Sequence, residues 1–224
     1  MKSFISYSGI LLLVLCSLYS SAQQHPFYDE IQNFKKQDSE HIPPRHAILF
    51  VGSSSFHKWT DVQSYFPKET IINRGFGGST LEDAIYYAND IIIPYHPREI
   101  VIYSGENDLA YSDSVTASMV FERFKKLFSI IRGAMPRVPV VYVSIKPSPS
   151  REKLMPRMVE ANRLIRGYLK KQTHTVFVDV YHKMLNADGK PMPDIFGDDS
   201  LHMNAKGYHM WQRAIEPYLQ PDKK

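Results

Sequence analysis

Two segments far apart in the chain hold residues that together could run a proton relay. Ile48-Leu49-Phe50-Val51-Gly52-Ser53-Ser54-Ser55 is an apolar stretch leading straight into a small-residue turn. Asp199-Ser200-Leu201-His202 sets a carboxylate three residues before an imidazole. A serine hydroxyl is a weak nucleophile until a base takes its proton. An imidazole can be that base, and an aspartate on its other nitrogen fixes the tautomer and stabilises the cation that forms. Ser54 is the candidate nucleophile, with Ser53 and Ser55 as rivals, and a plain serine-rich turn is the bland alternative. Asp199 is the candidate partner of His202, although Asp198 or Asp199 could instead cap the helix expected from Asn204. The other histidines are read as lacking an acidic neighbour at this spacing. His182 and His209 are taken as surface or core residues, and a His202/His209 metal pair lacks a third ligand.

Two segments between these offer donors for a developing oxyanion. Asn73-Arg74-Gly75-Phe76-Gly77-Gly78 contains glycines that allow close backbone approach, and Gly105-Glu106-Asn107-Asp108 contains a neutral amide. Gly78 and Asn107 are the candidates, alongside the N–H of Ser54. A turn needing positive φ, or a helix cap at Asn107-Asp108, would equally explain these residues.

The surrounding pattern must bring these groups together. Apolar runs at His46–Val51, Thr70–Asn73, Glu99–Tyr103, Val138–Ile145 and Thr175–Val180 read as strands, four of the five nearly continuous in β-branched and aromatic residues, which suits burial on both faces. Helical periodicity precedes the strands at Phe27–Lys36, falls between them at Thr80–Ile92, Ser114–Ala134 and Arg151–Lys171, and follows them at Asn204–Glu216. Thr80 and Asp83 form a capping signature, and Pro217 is expected to stop the last helix. Alternation of this kind predicts an α/β sandwich on a parallel sheet. Ser54, Gly78 and Asn107 then follow three successive strands and fall on one sheet edge, where such folds bind ligands.

The N-terminus reads as a signal peptide over residues 1–22. Lys2 supplies the positive start, Gly9–Cys16 the apolar run and Ser20-Ser21-Ala22 the cleavage site. The mature chain, residues 23–224, then forms a single domain outside the cytosol, secreted or periplasmic. A lipoprotein anchored at Cys16 is disfavoured by the bulky Leu15. Removal of the segment also removes the only cysteine, so neither a disulfide nor a thiol nucleophile is expected. The net charge of +4 is mild and scattered, which does not suggest nucleic acid as a partner. No stable membrane anchor is expected.

The four segments, in this order, resemble the blocks of the SGNH hydrolases, the GDSL-type lipases and esterases. The match places the family's Ser, Gly, Asn and His at Ser54, Gly78, Asn107 and His202, with Asp199 in the last block. Ser53 and Ser55 depart from the family's aspartate and leucine, which brings the chain nearer the acetylhydrolase-like branch. The resemblance runs from about Ala47 to Leu219. It implies a flavodoxin-like three-layer α/β/α sandwich with a five-stranded parallel sheet, and a serine esterase with Ser54, Asp199 and His202 as triad. The oxyanion hole would be Ser54, Gly78 and Asn107, and no cofactor or metal would be required. The substrate would be a small-molecule or carbohydrate ester with a short acyl group. Phe56, His57, Phe76, Leu109 and the loop Lys146–Arg151, with Lys146 and Arg151 as its bases, are the expected substrate contacts. A thioesterase, a lysophospholipase or a non-catalytic carbohydrate-binding protein remain alternatives.

Overall fold

The computed structural model describes residues 24–221, so the expected signal peptide lies outside the described residues. In chain order the elements are α1 (Tyr28–Glu40), β1 (Ile48–Gly52), α2 (Ser54–His57), α3 (Val62–Tyr65), β2 (Ile71–Gly75), α4 (Leu81–Tyr86) and α5 (Ala88–Ile91). They continue with β3 (Glu99–Tyr103), α6 (Glu106–Tyr111), α7 (Ala117–Ala134), β4 (Val140–Val143), α8 (Met155–Leu169), β5 (Thr175–Val178) and α9 (Ala205–Ile215). The five strands are all parallel, in the order β2-β1-β3-β4-β5.

The near-continuous apolar strands are explained by cover on both faces. Leu49, Val51, Ile100, Ile102, Val140 and Tyr142 pack into one core with residues of α1, α4, α5, α7 and α8. Their neighbours Ile48, Phe50, Val101, Tyr103, Val141 and Val143 pack into a second core with α2, α3 and α9. Side chains alternate along a strand, so one apolar run feeds two layers. The result is the expected α/β/α sandwich.

Several boundaries differ from the sequence expectation for local reasons. The helix expected over Thr80–Ile92 is divided at Tyr87, which leaves helical geometry while its hydroxyl donates to the Pro26 carbonyl at 2.9 Å. The start of α4 is as expected: Thr80 and Asp83 form a reciprocal capping box. α7 begins only at Ala117, because Thr116 caps it through the N–H of Met119. The stretch from Arg151 opens as a 3₁₀ turn, Pro149–Leu154, and becomes α-helical at Met155, with Pro156 in the first turn where no N–H is needed. α1 runs on to Glu40, and Pro217 lies in a 3₁₀ turn just after α9.

Candidate active site

Gly52 ends β1 and begins the site. Its φ is +151°, and a Cβ there would stand 1.9 Å from the Tyr103 carbonyl oxygen, so only glycine fits between β1 and β3. The chain then turns at Ser53 and enters α2 at Ser54. Ser53 and Ser55 are both buried, whereas Ser54 is half-exposed. Of the three rival serines, only Ser54 therefore presents its hydroxyl to the sheet edge.

The second half comes from the turn before α9. Ser200 adopts φ 54° and curls the segment, while the N–H groups of Leu201 and His202 donate to Asp199 Oδ1 at 3.0 and 2.8 Å. The same carboxylate meets His202 Nδ1 through Oδ2 at 2.5 Å. Asp199 does not cap α9. Asn204 does so, accepting from the N–H of Gly207. Burial would raise the Asp199 pKa, but the His202 ring and the two backbone N–H groups outweigh it and hold the carboxyl well below the usual range. With Nδ1–H engaged by Asp199, Nε2 is left as acceptor, and it stands 2.8 Å from Ser54 Oγ. α9 also docks on α2, through the Tyr208 hydroxyl to the Ser55 carbonyl at 2.9 Å.

Gly78 and Asn107 lie on the same edge. Gly78 has φ +78° with open space where a Cβ would stand. Among the described residues no acceptor pairs with the N–H of Ser54 or of Gly78. Asn107 Nδ2 donates to the Ser79 carbonyl at 3.0 Å, which occupies one of its two hydrogens. The neighbouring Asp108 is buried and accepts from the N–H of Leu81 at 2.9 Å and from Arg123 at 2.9 Å. Burial raises its pKa, and it ties the start of α4, hence the Gly78 loop, to α6. The Asn-Asp pair thus splits its work: the aspartate braces the start of α4, while the asparagine amide lies at the sheet edge.

Most of the expected substrate contacts are not on a surface. Phe56 packs against Phe50, Trp59, Tyr103 and Trp211, and Phe76 and Leu109 belong to the opposite core; all three are fully buried. Lys146 is also fully buried, donating to Glu106 Oε1 at 3.2 Å and to the Leu201 carbonyl at 2.9 Å. Their side chains are drawn inward by core packing or by ion pairing, so these four expectations are corrected. His57 is exposed but pairs with Glu30 at 2.8 Å. Arg151 faces the triad edge, with Nη1 2.9 Å from Asn107 Oδ1.

The reading of the other histidines is corrected as well. Asp179 precedes His182 by three residues, and its Oδ2 meets His182 Nδ1 at 2.8 Å. The side-chain contact is the same but the backbone is not: Ser200 has φ 54°, whereas Tyr181 is right-handed helical and the N–H groups of Val180 and Tyr181 donate to Ser144 Oγ. His182 is exposed and lines a cleft of about 430 Å³ with Arg163, Arg166 and Phe177, a cleft to which Ser54 and His202 do not contribute. What the sequence reading missed was Glu106, which accepts from Lys146 and the Tyr103 hydroxyl and forms an ion pair with Arg151 in the buried floor of the site. A lysine set in the apolar run Val138–Ile145 and its continuation was the available signal, because a buried lysine needs a partner.

The sequence profile of the GDSL-like Lipase/Acylhydrolase family matches residues 48–210. No curated protein matches the chain. A solved acylhydrolase assignment from Bacteroides fragilis superposes with a TM-score of 0.73 at 20% identity, covering 85% of this chain and 95% of that one. A GDSL-like lipase from Bacteroides thetaiotaomicron gives 0.70 at 19% identity, covering 84% and 95%. An acetyl-xylooligosaccharide esterase from Geobacillus Stearmophilus gives 0.60 at 16% identity, covering 77% and 93%. Each of these is a likeness of fold.

Proposed function

Because this chain belongs to the GDSL-like lipase/acylhydrolase family, and so is an enzyme of the serine-hydrolase type, we propose that it hydrolyses short-acyl carboxylic esters with Ser54 as nucleophile. The observation that carries the reading is the unbroken line from Asp199 through His202 to Ser54, with contacts of 2.5 and 2.8 Å. His202 Nε2 takes the proton of Ser54 Oγ as the oxygen attacks the ester carbonyl carbon. Asp199, ionised, orients the ring and balances the imidazolium. The N–H groups of Ser54 and Gly78 and the second Nδ2–H of Asn107 receive the oxyanion. The imidazolium then protonates the leaving alcohol oxygen. Water, deprotonated by the same imidazole, attacks the acyl-enzyme and releases the acid.

A short acyl group is favoured because Phe56, Phe76 and Leu109 are packed in the two cores and offer no apolar channel. Acetate on a carbohydrate is the substrate class we favour, in keeping with the acetyl-xylooligosaccharide esterase of like fold. Export by a signal peptide cleaved after Ala22 would place the enzyme where such esters are met. Among the described residues no helix is long and apolar enough to cross a membrane.

The test is turnover of p-nitrophenyl acetate, butyrate and octanoate, and release of acetate from acetylated xylo-oligosaccharide, beside Ser54→Ala. Fastest turnover of acetate esters, lost in the variant, supports the reading. A rate that climbs with each added methylene would overturn the short-acyl assignment in favour of a lysophospholipase or thioesterase. Equal background rates in both proteins would overturn the esterase assignment.

A further inference from the structure

Asn107 poses a problem that its own chemistry cannot solve. An amide side chain is nearly symmetric in shape, and a half-turn about its last bond would exchange a donor for an acceptor. An oxygen facing the oxyanion would repel what the nitrogen should bind. The structure surrounds Asn107 with two partners of opposite character. The Ser79 carbonyl can only accept, and takes one Nδ2–H at 3.0 Å. Arg151 can only donate, and gives Nη1–H to Oδ1 at 2.9 Å. Only one orientation satisfies both.

Arg151 is itself held from below. The same Nη1 lies 3.2 Å from Glu106 Oε1, and Glu106 is buried. Lys146 Nζ reaches both Glu106 oxygens, at 3.2 and 3.0 Å, and the Tyr103 hydroxyl donates to Oε2. Burial would raise the Glu106 pKa, but Lys146, Arg151 and Tyr103 more than offset that and keep it an anion. Lys146 also donates to the Leu201 carbonyl, and the N–H of Ser150 donates to the Ser200 carbonyl at 3.1 Å. The loop after β4 therefore holds Asn107 with one hand and the backbone just before His202 with the other.

We infer that Arg151, anchored by the Glu106–Lys146 pair, is a positioning residue that locks and polarises the Asn107 amide as an oxyanion donor. A cation on Oδ1 draws charge through the amide and strengthens its remaining N–H as a donor. The inference deepens the esterase reading and rests on it for the role of Asn107. The orienting contact itself does not.

The experiment is a double-mutant cycle of Arg151→Met and Asn107→Ala, with Arg151→Lys as the conservative variant. The partly exposed Arg151 allows folding to be checked by thermal melt. Arg151→Met is expected to lower kcat on the order of 10-fold, less than the roughly 10²–10³-fold cost of removing an oxyanion donor, with KM within about two-fold. In the Asn107→Ala background the same substitution is expected to cost under about two-fold, and Arg151→Lys to restore part of kcat. Equal losses in both backgrounds, or a loss confined to KM, would overturn the inference and make Arg151 an independent or substrate-binding residue. A second readout needs no substrate: the Asn107 side-chain amide resonances, assigned by difference from Asn107→Ala, should shift in Arg151→Met. Unshifted resonances sink the inference even in an active enzyme. Shifted resonances in a protein that hydrolyses no ester would leave the orienting lock standing and remove the esterase reading.

Discussion

Ser54 Oγ and His202 Nε2 stand 2.8 Å apart although 148 positions of sequence separate them. The contact forms because α2 starts at the end of β1 and α9 packs against the same face of the sheet. The first residue of one helix and the turn before another are brought to a single edge. The same arrangement makes the three neighbouring serines unequal.

Ser54→Ala is expected to lower kcat for p-nitrophenyl acetate by at least about 10⁴-fold without shifting the melt. Ser53→Ala and Ser55→Ala remove buried hydroxyls and should keep most of the turnover. Steady-state kinetics on the three variants separates them, and a comparable loss in all three would contradict the assignment of Ser54.

The two Asp–His contacts give a matched pair. Asp199→Asn should cost kcat on the order of 10³- to 10⁴-fold, because the His202 tautomer is no longer dictated. Asp179→Asn removes the charge behind the corresponding 2.8 Å contact to His182 and should leave kcat unchanged. A fall in kcat for Asp179→Asn would show that the cleft beside His182 takes part in the reaction.

Two glycines with positive φ should respond differently to alanine. Gly52→Ala drives a methyl into the Tyr103 carbonyl at 1.9 Å, and neither β1 nor β3 can yield. We expect a loss of more than about 3 kcal/mol in urea unfolding, or no soluble protein. Gly78→Ala meets nothing within 4 Å and should fold, losing only the roughly 1 kcal/mol of a left-handed residue.

Glu99 opens β3 and is almost fully buried, and burial lifts its pKa to about 7 against the opposing pull of the Gln220 N–H and Arg98, with Glu69 adding to the rise. Between the unfolded value of about 4.3 and that folded value the native state holds the extra proton, so stability from this group falls as pH rises. Above about pH 7 the cost is complete. Glu99→Gln, which can still accept from Gln220, should melt higher than wild type at pH 8, by on the order of 2 kcal/mol, and match it at pH 4. Melting curves at the two pH values check this, and a gap of equal size at both would exclude titration as its source.

The sequence by itself determined the layer architecture and the identity of the site segments. Continuous β-branched strands require cover on both faces, and helices spaced between them can supply it only in a parallel sandwich. Ser54, Gly78 and Asn107 follow successive strands, so their shared edge was legible from order alone. Local chemistry was legible too: the Thr80–Asp83 cap and the Asp199–His202 turn are satisfied within four residues.

Tertiary structure decided everything that depends on which way a side chain faces across elements. Two Asp-x-x-His segments both pair carboxylate with imidazole, and contact with Ser54 marks Asp199–His202 rather than Asp179–His182 as the site pair. Phe56, Phe76 and Leu109 stand near the site in sequence, yet they turn into the cores, because burial of a large apolar side chain outweighs proximity to a pocket. Lys146 reads as a loop cation, and becomes a buried strut only because Glu106, 40 positions away, meets it under the site. Pairings at such separations carry no local periodicity or cap to announce them. They exist only once the sheet order has set β3 beside β4.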